Sequence, residues 1–114
     1  MRLVILESPY ASETTGGVER NVAYARAALR DSLARGEAPV ASHLLYTQPG
    51  VLDDNDRVER SWGISAGLAW GKVAEATVVY IDLGTSRGMA YGIVRAVEDG
   101  RPIEYRHVPG WKAA

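Results

Sequence analysis

Val78-Val79-Tyr80-Ile81-Asp82-Leu83-Gly84-Thr85-Ser86-Arg87-Gly88-Met89-Ala90-Tyr91-Gly92 is the stretch that decides the fold. A β-branched run ends in an acid, passes through a Gly/Ser/Thr turn carrying an arginine, and opens into a helix. An α/β sheet builds a small-ligand site in this way, with free N–H groups and the positive end of a helix dipole at the carboxyl end of a strand. No carboxylate follows Asp82 until Glu98, so the segment points to a pocket more clearly than to a reaction.

Working outward, Leu3 to Leu6 is a continuous apolar run, as expected of a strand buried on both faces. Val18, Val22, Ala25, Leu29 and Leu33 recur at helical spacing, and Arg35-Gly36 supplies the stop. Pro39-Val40-Ala41 begins a second strand that delivers Ser42-His43 to its end. A long polar loop from Tyr46 to Asp56 follows, and loops of that kind are often functional. Asp56 is placed to cap a helix from Arg57 to about Lys72, with an apolar stripe of Val58, Trp62, Ala66, Ala69 and Val73. Ile64, Leu68 and Trp70 widen that stripe, which predicts a helix buried on much of its circumference, against the sheet or a second subunit. Ala76 to Ile81 is the third strand, Met89, Ile93, Ala96 and Val97 line the third helix, and Pro102-Ile103-Glu104-Tyr105 starts a fourth strand. The alternation predicts a single α/β domain over residues 1–114, a Rossmann-like parallel sheet of about four to five strands with helices on both faces.

Composition narrows the function. The formal net charge is −1 with no basic block, which gives nucleic-acid binding no support. The absence of cysteine excludes disulfides, thiolate catalysis and cysteine-held metals. Met1-Arg2-Leu3-Val4-Ile5-Leu6-Glu7 is too short an apolar run for a signal peptide or membrane span, so a cytoplasmic protein without membrane contact is the expectation. No cofactor or metal is called for. Asp53, Asp54 and Asp56 lack the glycine and distal glutamate of a calcium loop and read as turn and cap residues.

Three loops converge at the carboxyl edge of such a sheet, carrying Ser8, Pro9 and Tyr10; Ser42 and His43; and Asp82 through Arg87. Gly17, Arg20 and Asn21 at the start of the first helix are further candidates, although turn chemistry accounts for the glycine and solvent for the arginine. Ser86 either caps the third helix or donates to a phosphate. Arg87 and Gly88 follow it, and a cation at a helix N-terminus calls for an anion, either a ligand or a carboxylate such as Asp82 or Glu59. His43 is a ligand contact or a structural hydrogen-bonding residue, while His107 lies near the tail.

Leu3-Val4-Ile5-Leu6-Glu7-Ser8-Pro9-Tyr10, Leu68-Ala69-Trp70 and Gly88-Met89-Ala90-Tyr91-Gly92 resemble segments of the nucleoside 2-deoxyribosyltransferase-like superfamily. The chain is also similar to small proteins of that kind often encoded by bacteriophages. The resemblance implies a nucleotide-type ligand and a homo-oligomer. It also implies a catalytic glutamate on the third helix and a second carboxylate before it, but these positions fall on Ala90 and Gly67. Two readings remain. In one, the protein binds a nucleoside phosphate or ADP-ribose-like signal without catalysis, sensing or sequestering it. In the other, an N-glycosidase or transferase uses a relocated carboxylate, with Asp82, Glu59 or Glu7 as the candidates.

Overall fold

The computed structural model describes residues 1–112. In chain order the elements are β1 (Arg2–Glu7), α1 (Thr15–Ala34), β2 (Glu37–Val40), α2 (Ser42–Leu45), α3 (Arg57–Gly71), β3 (Ala76–Tyr80), α4 (Arg87–Glu98) and β4 (Ile103–Arg106). The four strands form one parallel sheet in the order β2-β1-β3-β4. The parallel α/β architecture expected from the sequence is therefore present, with four strands. Pro39 is tolerated because β2 is an edge strand, where a missing N–H breaks no ladder on the outer side.

Strand periodicity divides the chemistry between the two faces. Val4, Leu6, Val78 and Tyr80 pack with Tyr24, Ala25 and Ala28 of α1 to make the core. Ile5 and Glu7 point the other way, toward α3 and α4. The buried stripe of α1 is Asn21, Tyr24, Ala25, Ala28 and Ser32; of the predicted stripe Ala25 is buried, Val22 and Leu29 pack against the core partly buried, and Leu33 is exposed. Polar tips explain the shift: the Asn21 side-chain amide donates to Tyr10 O at 2.9 Å, and the Tyr24 hydroxyl bonds Asp82, so both residues can be buried without an unmet donor.

Two further differences from the sequence reading matter for the site. Ser42 to Leu45 forms a short helix that no periodicity could announce in four residues. α3 begins at its predicted cap, with Asp56 Oδ1 accepting the N–H groups of Val58 at 2.9 Å and Glu59 at 3.0 Å, yet it is not the buried helix expected. Gly71 is its one buried residue, and Val58, Trp62, Ile64 and Trp70 are exposed, as is Val73 just beyond it. α3 packs mainly on α2 and stands off the sheet.

β2 starts at Glu37, earlier than predicted, where it pairs in register with Arg2 of β1, and ion pairs hold the Glu37 side chain. Arg106 grips both its carboxylate oxygens, at 2.7 and 2.8 Å, and Arg2 reaches the same carboxylate at 2.7 Å. Glu104 accepts from both arginines, and Ser32 Oγ donates to Glu37 at 2.9 Å. The bond from Arg106, reinforced by those from Arg2 and Ser32, outweighs burial and pulls the Glu37 carboxyl down to about 2. Such a depressed carboxyl stabilises the fold fully above its unfolded value near 4.5 and loses that contribution as pH falls toward 2. Glu37→Gln is expected to cost about 3–5 kcal/mol at neutral pH by leaving buried Arg106 under-compensated. Urea unfolding from about pH 6 to about pH 2 should show the acid-limb loss of stability in the wild type and a shallower slope in the variant.

Candidate functional site

Between the sheet face that carries Ile5 and Glu7 and the standing-off helix α3 lies a cavity of about 730 Å³. β1 and its turn supply Ile5, Glu7, Ser8 and Tyr10; α2 and the residues after it supply Ser42, His43, Tyr46 and Thr47. α3 contributes Arg60, Gly63, Ile64, Gly67, Leu68 and Gly71, and α4 contributes Arg87, Gly88, Met89, Tyr91, Gly92 and Arg95 behind its cap Ser86. Leu52, Asp54 and Arg101 complete the wall. The size suits a small organic ligand, and the lining is an apolar surface with a few polar groups.

The N-terminus of α4 forms part of the wall. Ser86 Oγ accepts the Met89 N–H at 3.2 Å and Met89 Sδ accepts the Ser86 N–H at 3.3 Å, a capping box completed by sulfur. The Ala90 N–H is taken by Ser86 O, which leaves the amides of Arg87 and Gly88 without an intrahelical acceptor. Ser8 Oγ and His43 Nε2 lie 2.7 Å apart in the opposite wall. Burial pushes the His43 imidazole down to about 4, so it is neutral at pH 7, and its tautomer sets whether Nε2 donates to or accepts from the Ser8 hydroxyl.

Glu7 is the unusual group. Its carboxyl lies so close to α4 that a Cβ on Gly92 would meet it, so a larger residue there would push the Glu7 side chain aside. Burial pushes its carboxyl up to about 8, against the pull of the Arg101 guanidinium, and hydrogen bonds play no part in that shift. Arg101 is itself fixed, donating to Gly71 O at 2.7 Å and Thr77 Oγ1 at 2.9 Å. Arg95 Nε is buried without a hydrogen-bond partner among the described residues, with Asp99 at 3.6 Å.

The structure gathers Ser8, Tyr10, His43, Ser86, Arg87 and Gly88 around this cavity. Pro9 is buried outside its lining. Gly17 sits in the α1 cap, its N–H bonded to Thr14 Oγ1 at 3.0 Å, and Arg20 is exposed on α1. Asn21 stands behind the wall and positions Tyr10 through its carbonyl. Asp82 belongs to the other face. It accepts from the Tyr24 hydroxyl at 2.5 Å, the Val108 N–H at 2.7 Å and His107 Nδ1 at 3.1 Å. Burial opposes its ionisation, but those three bonds prevail and hold it below the usual carboxylate range. Glu59 accepts the Asp53 N–H at 3.2 Å and shapes the loop before α3, away from the cavity. The two carboxylate positions that the family resemblance implied are also accounted for. Ala90 lies on the exposed side of α4, and a Cβ on Gly67 would stand 2.6 Å from Ser42 Oγ.

Tyr46, Arg60, Ile64, Tyr91 and Arg95 join the site without having been singled out in the sequence. A signal existed: Gly63, Gly67 and Gly71 recur every fourth residue and mark the α3 face that closes on its neighbours.

Comparison with known proteins follows the geometry. Residues 2–106 match a family described as a domain of unknown function, DUF7768. No curated protein matches the chain. Among solved structures, the chain is similar to a 2-deoxyribosyltransferase from the psychrotolerant bacterium Bacillus psychrosaccharolyticus, described as a biocatalyst for nucleoside synthesis. The likeness has a TM-score of 0.63 at 20% identity and covers 98% of this chain and 77% of that one, which establishes a shared fold.

Close approach at Gly67 predicts that Gly67→Ala will cost about 1–3 kcal/mol, by overpacking against Ser42. The double variant Ser42→Ala/Gly67→Ala should recover part of that loss in a double-mutant cycle read by denaturant unfolding. Asp82→Asn should lower the unfolding midpoint while leaving ligand affinity unchanged, because its bonds hold the C-terminal segment and not the cavity.

Proposed function

The chain belongs to the DUF7768 family, and from its cavity we propose that it binds a small phosphorylated nucleoside-type ligand and holds it without turnover. One observation carries this reading: Arg60, Arg87, Arg95 and Arg101 line the cavity with Glu7 and Asp54 as its acids, and while Asp99 pairs with Arg95 and Arg101, Arg60 and Arg87 make no ion pair among the described residues. Such a surplus of cations in a partly enclosed space favours an anion. The amides of Arg87 and Gly88 and the α4 dipole make this end of the cavity the natural seat for phosphate. Tyr10, Tyr46 and Tyr91 with Ile64 and Leu68 offer stacking and apolar surface to a base or sugar. The resemblance of the first strand and third helix to the deoxyribosyltransferase-like superfamily supports the same class of ligand, and a protein that binds without turnover would sense or sequester it.

The case against turnover is the placement of the acids. Asp82 and Glu59 lie off the cavity, Ala90 leaves α4 on the outside, Gly67 packs tightly on Ser42, and Asp54 enters the lining from the loop before α3. A second reading, cleavage of an N-glycosidic bond, is favoured by Glu7, which lines the cavity together with Asp54.

Mass spectrometry of the protein incubated with nucleosides, nucleoside monophosphates and ADP-ribose separates the two. Stoichiometric recovery of an unchanged nucleotide is the expected result, and multiple-turnover release of free base would establish the second reading. Arg87→Ala should weaken AMP by about tenfold, the loss of a charge-assisted phosphate contact, and adenosine far less. Equal weakening of both in calorimetric titrations would remove Arg87 from the phosphate site.

A further inference from the structure

Glu7 stands apart from the other polar groups of the cavity because it has no task within the protein. His43 is occupied by Ser8, Ser86 by the α4 cap, and Arg101 by Gly71 and Thr77. The Glu7 carboxyl rests on the bare backbone of Gly92 in the middle of the lining. We infer that Glu7 is the residue that reads the ligand's base, its carboxyl pairing with a donor–acceptor edge of the ring.

The inference rests on the nucleoside phosphate reading and adds the base contact to it. Spacing along α4 sets the arrangement. A phosphate seated at Arg87 and Gly88 has Gly92 about 6–8 Å further along the helix, at 1.5 Å rise per residue. That is the span from a 5′-phosphate across a ribose to the base, so the base arrives beside Glu7. Ile5 on the same strand face and Ile64 and Leu68 from α3 give its ring apolar surface.

A protonated carboxyl offers one donor and one acceptor on neighbouring oxygens. Adenine presents the complement, N1 as acceptor and the exocyclic amino group as donor. The charged and titratable groups that line the cavity with Glu7 are Tyr10 from the β1 turn, Arg95, Arg87 and Tyr91 from α4, Arg101 beyond it, Arg60 and Asp54 from the α3 side, and His43 and Tyr46 from the α2 side. Burial dominates over Arg101 and keeps the proton on Glu7 up to about pH 8. Above that pH an ionised Glu7 has no proton to give to adenine N1, so affinity should decline.

The test is calorimetric titration of wild type, Glu7→Gln and Glu7→Ala with AMP and with ribose 5-phosphate, at about pH 7 and about pH 9. Glu7→Ala should weaken AMP at least about tenfold and leave ribose 5-phosphate unchanged, while Glu7→Gln, with an amide donor and acceptor, should stay within about threefold of wild type. If only the protonated form binds, wild-type affinity for AMP should fall about tenfold between the two pH values, and that of Glu7→Gln should not. Equal losses on both ligands, AMP binding by Glu7→Ala at wild-type strength, or a pH-independent wild type would overturn the base contact while leaving the phosphate site standing. A wild type that binds neither AMP nor ribose 5-phosphate would overturn the reading of the cavity itself.

Discussion

The cavity side of this molecule depends on how closely α3 can approach its neighbours, and that distance is set by missing Cβ atoms. A Cβ at Gly63 would stand 3.3 Å from Leu52 Cδ1, at Gly67 2.6 Å from Ser42 Oγ, and at Gly71 3.3 Å from Arg101 Nη2. Each glycine weakens an isolated helix by about 1 kcal/mol relative to alanine, so three in one turn-spaced line are a substantial local penalty. What the helix obtains in exchange is a fixed seat on α2 and Arg101, reinforced at its start by the Asp56 cap and across to Tyr46 by Trp70 Nε1 at 3.0 Å. With α3 held there, space remains between it and the sheet, and Arg60, Ile64 and Leu68 face that space.

The two faces of the sheet treat charge in opposite ways. On the α1 face Glu37, Arg106, Arg2 and Glu104 are mutually paired, and bidentate geometry offsets the desolvation of a buried guanidinium. On the cavity face the guanidinium groups outnumber the carboxyl groups, and Arg95 keeps a buried Nε without a hydrogen-bond partner among the described residues. Paired charge makes the first face a scaffold. On the second face Asp99 pairs with Arg95 and Arg101, while Arg60 and Arg87 make no ion pair among the described residues, and in the proposed reading a ligand phosphate would sit against them.

Local pattern made most of the fold legible in the sequence. β-Branched runs gave the strands, Asp56 and Ser86 gave the helix starts, and the β-α alternation gave a parallel sheet. The errors came where tertiary contacts override pattern. The stripe of Val58, Trp62, Ala69 and Val73 reads as core in any single-sequence argument, but the side of α3 that meets the cavity is the glycine side. Asp82 follows a strand as a catalytic acid does, and only the approach of Tyr24, His107 and Val108 from distant parts of the chain reveals it as a structural tie. Ser8, Tyr10, His43 and Arg87 were accessible as candidates because they sit at strand ends and a helix start. Arg95 and Arg101 were not, because nothing local distinguishes them from solvent-facing arginines.

Where an acid stands in such a cavity determines what it can do. In the first turn of a helix a carboxylate is stabilised by the dipole and by free amides, so it stays ionised and fit to act as a nucleophile. Glu7 instead projects from β1, an inner strand flanked by β2 and β3, with α4 laid against its carboxyl. No helix dipole or hydrogen bond supports its charge, and desolvation drives it toward the neutral acid. A protonated carboxyl is a poor nucleophile and a good hydrogen-bond donor. Moving the acid from helix to strand therefore changes the character of the site from attacking a sugar toward gripping a ligand, and with Ala90 on the outer side of α4 the other carboxylate in the lining is Asp54, in the loop before α3.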